Sequence, residues 1–269
     1  MKLGIRCHDY GRLTPEDLAA RLKADGFSAA HLAPYKALDL DGDFLEERNL
    51  ARVKAAMENA GIEIAVLGCY VDPGSLDDSV WAQSLDRFEK HLRAAKYLGA
   101  RCVGTETTHF LGTDAEREPH YERVLAFVKK MVSAAQEADS VVGIEPVFRH
   151  TICSPKLVKR LIGDVQSPRL QIIFDPVNLL WEGNTASQDA LFEEAIQAFG
   201  GRVAVMHIKD GVYHGNDYTP RPLGQGVVKY DAVAPWLKHA HPHITLIRDE
   251  ADEAVIPADI QYMRDVFMR

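Results

Sequence analysis

The 269-residue chain has little sulfur and no pattern to bind with it. Its four cysteines, Cys7, Cys69, Cys102 and Cys153, form no CxxC pair. Three lie in apolar, strand-like runs, as buried free thiols of a reducing compartment do, and this disfavours disulfides or a zinc knuckle. No apolar run is long enough to span a bilayer. The first residues, Met1-Lys2-Leu3-Gly4-Ile5-Arg6, lack the apolar stretch of a signal peptide. The expected location is therefore cytoplasmic. Net positive charge is also missing: the formal charge is −8. An acidic surface repels phosphate backbones and anionic lipid, so neither nucleic acid nor membrane is the expected partner. No glycine fingerprint follows the first strand-like run. Cys7-His8-Asp9-Tyr10-Gly11 stands there, and it cannot cradle a pyrophosphate as a dinucleotide fold does.

What is present is regular alternation. Short, apolar, often β-branched runs at 3–7, 29–33, 62–69, 102–106, 141–147, 170–175, 203–208 and 244–248 read as strands buried on both faces. Helical patterns lie between them. Thr14-Pro15-Glu16-Asp17 reads as an N-cap with proline at the first helical position and acids in the first turn, and Ser154-Pro155 repeats the device. Gly26, Gly61 and Gly99 each close a helix before a strand. The helix through Leu85, Phe88, Leu92 and Ala95 buries one face and leaves Arg87, Lys90 and Lys96 in solvent. Eight strand–helix units without a linker predict one domain over 1–269, an α/β chain closed as a (β/α)₈ TIM barrel. An open doubly wound sheet is the alternative.

In such barrels the working residues stand at the C-terminal ends of strands. Here the fifth strand ends in Ile144-Glu145-Pro146, the sixth in Phe174-Asp175-Pro176 and the seventh in Met206-His207-Ile208-Lys209-Asp210. The eighth ends in Ile247-Arg248-Asp249-Glu250. One acid after a strand is usually a helix cap. Four successive ends in the order Glu, Asp, His, Glu point to a cation that holds crowded carboxylates together. One imidazole with carboxylates suits Mn²⁺ first, with Co²⁺, Zn²⁺, Mg²⁺ or Fe²⁺ as alternatives, and without thiolate a structural zinc site is disfavoured.

These segments resemble the xylose-isomerase-like barrel superfamily, which includes sugar isomerases and epimerases, inosose dehydratase and family-2 apurinic endonucleases. The resemblance rests on Gly143-Ile144-Glu145-Pro146-Val147, Ile173-Phe174-Asp175-Pro176-Val177-Asn178 and His207-Ile208-Lys209-Asp210. Gly224-Gln225-Gly226 with Tyr230, Asp249-Glu250 and Val103-Gly104-Thr105-Glu106-Thr107 add to it, so that it covers essentially the whole chain. It implies Glu145, Asp175, His207 and Glu250 as metal ligands, and an isomerase or epimerase of carbohydrate metabolism. That enzyme would act on a small sugar or keto-sugar by proton transfer through a metal-stabilised enediolate. Glu145 and Glu250 would move the proton. A lyase or dehydratase on a keto-sugar, keto-inositol or 3-keto-glycoside is the alternative, with His150 as base. An apurinic endonuclease or a non-catalytic sugar-binding subunit ranks below both, and a homo-oligomer is left open.

The sequence also departs from that pattern. Ketose epimerases of the superfamily usually carry a His where Asn178 stands, a Glu at the position of Thr151 and an Arg at that of Tyr213. These departures count against a ketohexose 3-epimerase. Apurinic endonucleases need a richer His/Asp/Glu set. Further candidates for substrate contact are His8, Lys36, Tyr70, Glu106, Asn178 and Lys209. Arg221 joins them on the premise that Thr219-Pro220-Arg221-Pro222 covers the mouth. Lys209 could instead pair with Asp210. His239, His241 and His243 are spaced like a metal tract but precede the eighth strand, at the wrong end of a barrel, and read as surface.

Overall fold

The computed structural model describes residues 1–269. The chain runs β1 (Lys2–Arg6), α1 (Pro15–Ala24), β2 (Ala29–Leu32), α2 (Pro34–Ala37), α3 (Glu47–Ala60), β3 (Glu63–Gly68), α4 (Asp78–Leu98) and β4 (Cys102–Glu106). It continues through α5 (Asp114–Glu137), β5 (Val142–Glu145), α6 (Pro155–Val165), β6 (Leu170–Phe174), α7 (Gln188–Phe199), β7 (Val203–Ile208) and a hairpin, β8 (Asp210–His214) and β9 (Asp217–Arg221). It ends with α8 (Val233–Ala240), β10 (Thr245–Arg248) and α9 (Ile256–Phe267). Eight strands close in the order β1-β10-β7-β6-β5-β4-β3-β2, and every neighbouring pair in the ring is parallel. The expected barrel is therefore present and the open sheet is not.

The helix signals act as their chemistry requires. The Thr14 side chain accepts from Asp17 N, and that of Ser154 accepts from Leu157 N. Gly61 and Gly99 take the left-handed conformation that ends α3 and α4. All four cysteines are free thiols, three of them buried. No helix is long and apolar enough to cross a membrane. The hairpin is an element the sequence does not predict. Its residues 210–221 pair antiparallel outside the ring, and their mixed polar and aromatic composition carries no strand-like apolar alternation.

Two apolar cores hold the barrel. The larger, 63 buried residues, lies mainly between strands and helices, and a separate cluster of seven includes Ala29, Val66, Cys102, Ile173, Val205 and Ile247. The small cluster marks the barrel interior. Its space is narrow: a Cβ at Gly104 would meet Ile173 Cδ1 and Val66 Cγ1 at 2.6 Å each, and one at Gly4 would meet Ile247 Cδ1 at 2.6 Å. Glycine on one strand makes room for isoleucine on another. Side chains alternate along a strand, so the residues two places on also point inward, one layer nearer the C-terminal mouth. They are Arg6, His31, Gly68, Glu106, Glu145, Asp175, His207 and Asp249.

Candidate active site

That layer gathers the polar groups. Glu145, Asp175 and His207 are buried, and their ligand atoms lie within 4.8 Å of one another. His207 Nδ1 is 3.2 Å from Glu145 Oε1, and its Nε2 is 3.2 Å from Nδ1 of the buried His31. Asp175 Oδ1 accepts from the backbone N–H groups of Val177 and Asn178, which aims the carboxylate. Asn178 bridges the centre, donating from Nδ2 to Glu145 Oε1 at 2.8 Å and accepting from Lys209 Nζ at 2.8 Å.

The eighth strand brings two neighbouring acids, Asp249 and Glu250, to the mouth. Ile247 belongs to the interior cluster, so Asp249 is the next inward residue of that edge. It is buried, with Lys209 Nζ 3.3 Å away and Arg6 Nη1 2.9 Å away. Glu250 has the opposite parity and a left-handed φ of 56°. Its side chain stands apart from the Glu145–Asp175–His207 group, 3.6 Å from Lys209 and 3.9 Å from Arg6, and lines an open cavity.

Lys209 and Arg6 also change the electrostatics. The Lys209 ammonium is buried 3.0 Å from Asp175 Oδ2. Burial pushes the Asp249 carboxyl up, but Lys209, Arg6 and His207 together hold it far below the usual range. Burial would lower His207, yet the Glu145 carboxylate raises it to about 9. Burial pushes Asp175 up to about 6, with Glu145 adding to it against the pull of Lys209. The protein's own cations thus neutralise much of the acid ring, and repulsion alone does not require a metal. Geometry is what favours one. Two carboxylates and an imidazole converge, buried and without thiolate, which fits a divalent cation.

Asp210 does not pair with Lys209. It points outward and accepts from Gly211 N at 2.8 Å, Gly224 N at 2.9 Å, Gly226 N at 2.9 Å and Val228 N at 3.1 Å, and so organises the Gly224-Gln225-Gly226 loop. Tyr230 caps the same turn: its hydroxyl donates to Lys209 O and accepts from Lys209 N.

Across the mouth, Glu106 lies 3.6 Å from His150 Nε2. Burial, with help from Glu145, raises Glu106 to about 7, while burial and His109 lower His150 to about 4. Tyr70 is stacked with His31 at 6.3 Å between centroids, and Lys36 Nζ sits 4.0 Å over the Tyr70 ring. His8 is partly buried, and burial next to Arg6 and Lys36 lowers it to about 4. His8, Lys36, Tyr70, Glu106, Asn178 and Lys209 therefore all stand around the mouth. Arg221 does not. It is exposed at the end of β9, its guanidinium turned onto the Pro220 carbonyl. His241 and His243 flank Val203 and Ile244, at the N-terminal ends of the strands.

A cavity of about 680 Å³ opens beside the ring, reached by Asn178, Lys209 and Glu250 at its inner end and walled by Phe148, Arg149 and the β8–β9 hairpin. Arg6, His31 and Asp249 join the site without having been expected from the sequence. A signal for them exists: each lies two places beyond a small or apolar interior residue.

A family model described as the xylose isomerase-like TIM barrel matches residues 17–266. The chain belongs to that family. Among solved structures, this xylose isomerase-like barrel is similar to a D-tagatose 3-epimerase-like protein, with TM-score 0.80 and 15% identity, covering 100% of this chain and 97% of that one. It is also similar to 3-keto-D-glucoside 4-epimerase YcjR from E. coli (0.77, 17%, 98% and 99%) and to the IolI protein with a bound zinc atom (0.78, 16%, 99% and 98%). At these identities the likeness is one of fold. No curated protein matches the chain.

Proposed function

We propose that this barrel is a divalent-metal-dependent isomerase or epimerase of a small sugar or keto-sugar. The observation that carries the reading is the buried convergence of Glu145, Asp175 and His207 at the C-terminal mouth. Those three residues would hold the cation, with Asp249 as the fourth acid of the layer. Mn²⁺ is the first candidate for a site of one imidazole with carboxylates. A cation bound there supplies Lewis-acid polarisation of a carbonyl and of its neighbouring hydroxyl. The epimerases among the structural neighbours support the same reaction class.

The chain's own residues divide the remaining work. Glu145 and Glu250 are the proposed proton carriers. Glu250 reaches the cavity directly, with Lys209 beside it to orient a substrate hydroxyl. Asn178 fixes Glu145 and Lys209 relative to each other. His8, Lys36 and Tyr70 form the opposite rim. Glu106 and His150 favour a second reading, elimination from a keto-sugar, because they place a further acid–base pair beside the ligand trio.

The deciding experiment is a screen of keto-sugars with Mn²⁺-loaded protein in D₂O, read by NMR. Solvent deuterium in a product of unchanged skeleton is the expected result. Loss of water or of an aglycone would replace the isomerase with the lyase, and no exchange with any keto-sugar would remove both. Glu145→Gln should lower kcat by ~10²–10⁴, the worth of a placed proton carrier. No nucleic acid is proposed as a partner, and abasic DNA incubated with the Zn²⁺- or Mn²⁺-loaded protein should remain intact on a gel.

A further inference from the structure

The ring of ligands does not explain the β8–β9 hairpin, which the barrel does not need for closure. Tyr213, Asn216, Asp217, Tyr218 and Pro220 of the hairpin line the 680 Å³ cavity together with Phe148 and Leu180. The hairpin is held in place. The Tyr213 hydroxyl donates to Val177 O at 2.9 Å, and the Tyr218 hydroxyl donates to Asp210 O at 2.7 Å. The hairpin turn is tied to the loop after β6 through Glu182 and Gly215, each donating its backbone N–H to the other residue. The two tyrosine rings lie 5.3 Å apart, tilted by 55°.

Charge in the cavity is already balanced. Its charged lining residues are Arg149, Lys209, Asp217 and Glu250, and they pair as Arg149–Asp217 at 3.4 Å and Lys209–Glu250 at 3.6 Å. Each cation already has a carboxylate within 4 Å, so neither is an isolated charge set out for a phosphate or carboxylate. The rest of the outer lining is mostly aromatic or aliphatic. A volume of this size belongs to sites for drug-sized ligands, and one six-carbon sugar at the inner end leaves the outer part unfilled.

We propose that the outer part of this cavity, lined by Phe148 and the Tyr213–Tyr218 pair, is a subsite for a second, uncharged ring. The substrate is then a neutral glycoside-like sugar derivative rather than a free or phosphorylated monosaccharide. This inference rests on the reading that a sugar occupies the inner end. Aromatic side chains bury large area against a flat ring at little entropic cost because their own conformations are fixed.

The test is calorimetric titration of the full-length, Mn²⁺-loaded protein with glucose, glucose 6-phosphate, methyl β-glucoside and phenyl β-glucoside, repeated in the galacto series. In at least one series the phenyl glycoside should bind tenfold or more tightly than the methyl glycoside, and glucose 6-phosphate no more tightly than glucose. Phe148→Ala should reduce the phenyl-to-methyl ratio to below threefold, with Phe148→Leu intermediate, in protein whose Tm shows it is folded. Equal affinity for phenyl and methyl glycosides overturns the subsite. So does preferential binding of the phosphate, or no binding of either glycoside. If the phenyl preference holds while no keto-sugar exchanges deuterium, the proton-transfer reading fails and the subsite stands. If deuterium exchanges without the phenyl preference, the subsite fails and the proton-transfer reading stands.

Discussion

Asp249 and Glu250 are adjacent acids with different surroundings. Asp249 follows the inward parity of Ile247 and is locked between Lys209 and Arg6, whereas Glu250 is re-aimed by its positive φ toward the cavity. Asp249→Asn should therefore weaken Mn²⁺ binding at least tenfold. It should also lower stability, because it removes the carboxylate that Lys209 and Arg6 share and leaves Lys209 with Asp175 and Glu250 and Arg6 with Asp9. Glu250→Gln should keep Mn²⁺ affinity within about threefold and lose turnover by ~10²–10⁴. Titration calorimetry with Mn²⁺ on both variants decides, and the opposite pattern would restore Glu250 as the ligand. His91, on α4, gives stability a pH dependence. It is fully buried, its Nδ1 is 2.8 Å from the Arg87 carbonyl oxygen, and burial lowers it to about 4. Unfolded, it takes up its proton near pH ~6.5. Between those values the unfolded state holds more protons, so stability falls as pH drops from about 6.5 toward 4, by up to ~1.4 kcal/mol per pH unit. His91→Gln costs packing near neutral pH, and its deficit should shrink steadily as the pH is lowered through that window. Parallel denaturation curves for wild type and variant across that range would show that His91 is not the group responsible.

At the scale of elements, one buried carboxylate holds the loop that follows the hairpin. Asp210 gathers four backbone N–H groups, and a Cβ at Gly226 would overlap both Asp210 Oδ1 and the Gly211 carbonyl. Gly226→Ala should cost about 1–3 kcal/mol, the usual range for overpacking. Gly163→Ala meets nothing within 4 Å and lies inside α6, so it should be neutral or stabilise by about 0.5–1 kcal/mol. Thermal melts of the two variants, side by side, separate the steric reason from a general intolerance of change. The hairpin's local mark in the sequence is the two-residue turn Gly215-Asn216, with Gly215 at φ 63°, while the contacts that fix it to the barrel are long-range. Its tip bonds to the β6–α7 loop and the Tyr213 hydroxyl to a main-chain carbonyl after β6, and neither contact leaves a local pattern.

For the whole molecule, a cation bound by residues from β5, β7 and the end of β6 would tie three neighbouring strands together at their C-terminal ends, so binding is linked to folding. At a free concentration of ~100 times Kd the gain is about 2.7 kcal/mol. Mn²⁺ should raise Tm by several degrees over EDTA-treated protein, with one ion per chain by elemental analysis. A melting curve indifferent to both reagents would remove the metal centre. The cations already inside the layer, Lys209 and Arg6, imply that the EDTA-treated protein still folds.

The barrel is legible from local sequence alone. Eight buried strands alternating with capped helices leave few other ways to cover both faces of a parallel sheet, and the strand ends can be read to within a few residues. Glu145, Asp175 and His207 are legible in the same way, because a polar residue ending an apolar interior strand has nowhere to point but the mouth. The remaining features arise only when distant segments meet. Which of two neighbouring acids faces inward depends on strand register, and register is fixed only when Ile247 seats against Gly4 of β1. Whether the acids are balanced depends on Lys209 and Arg6, which lie 203 positions apart and meet around Asp249. Where Arg221 points, and what the hairpin encloses, depend on contacts between segments far apart in the chain, which no local periodicity encodes.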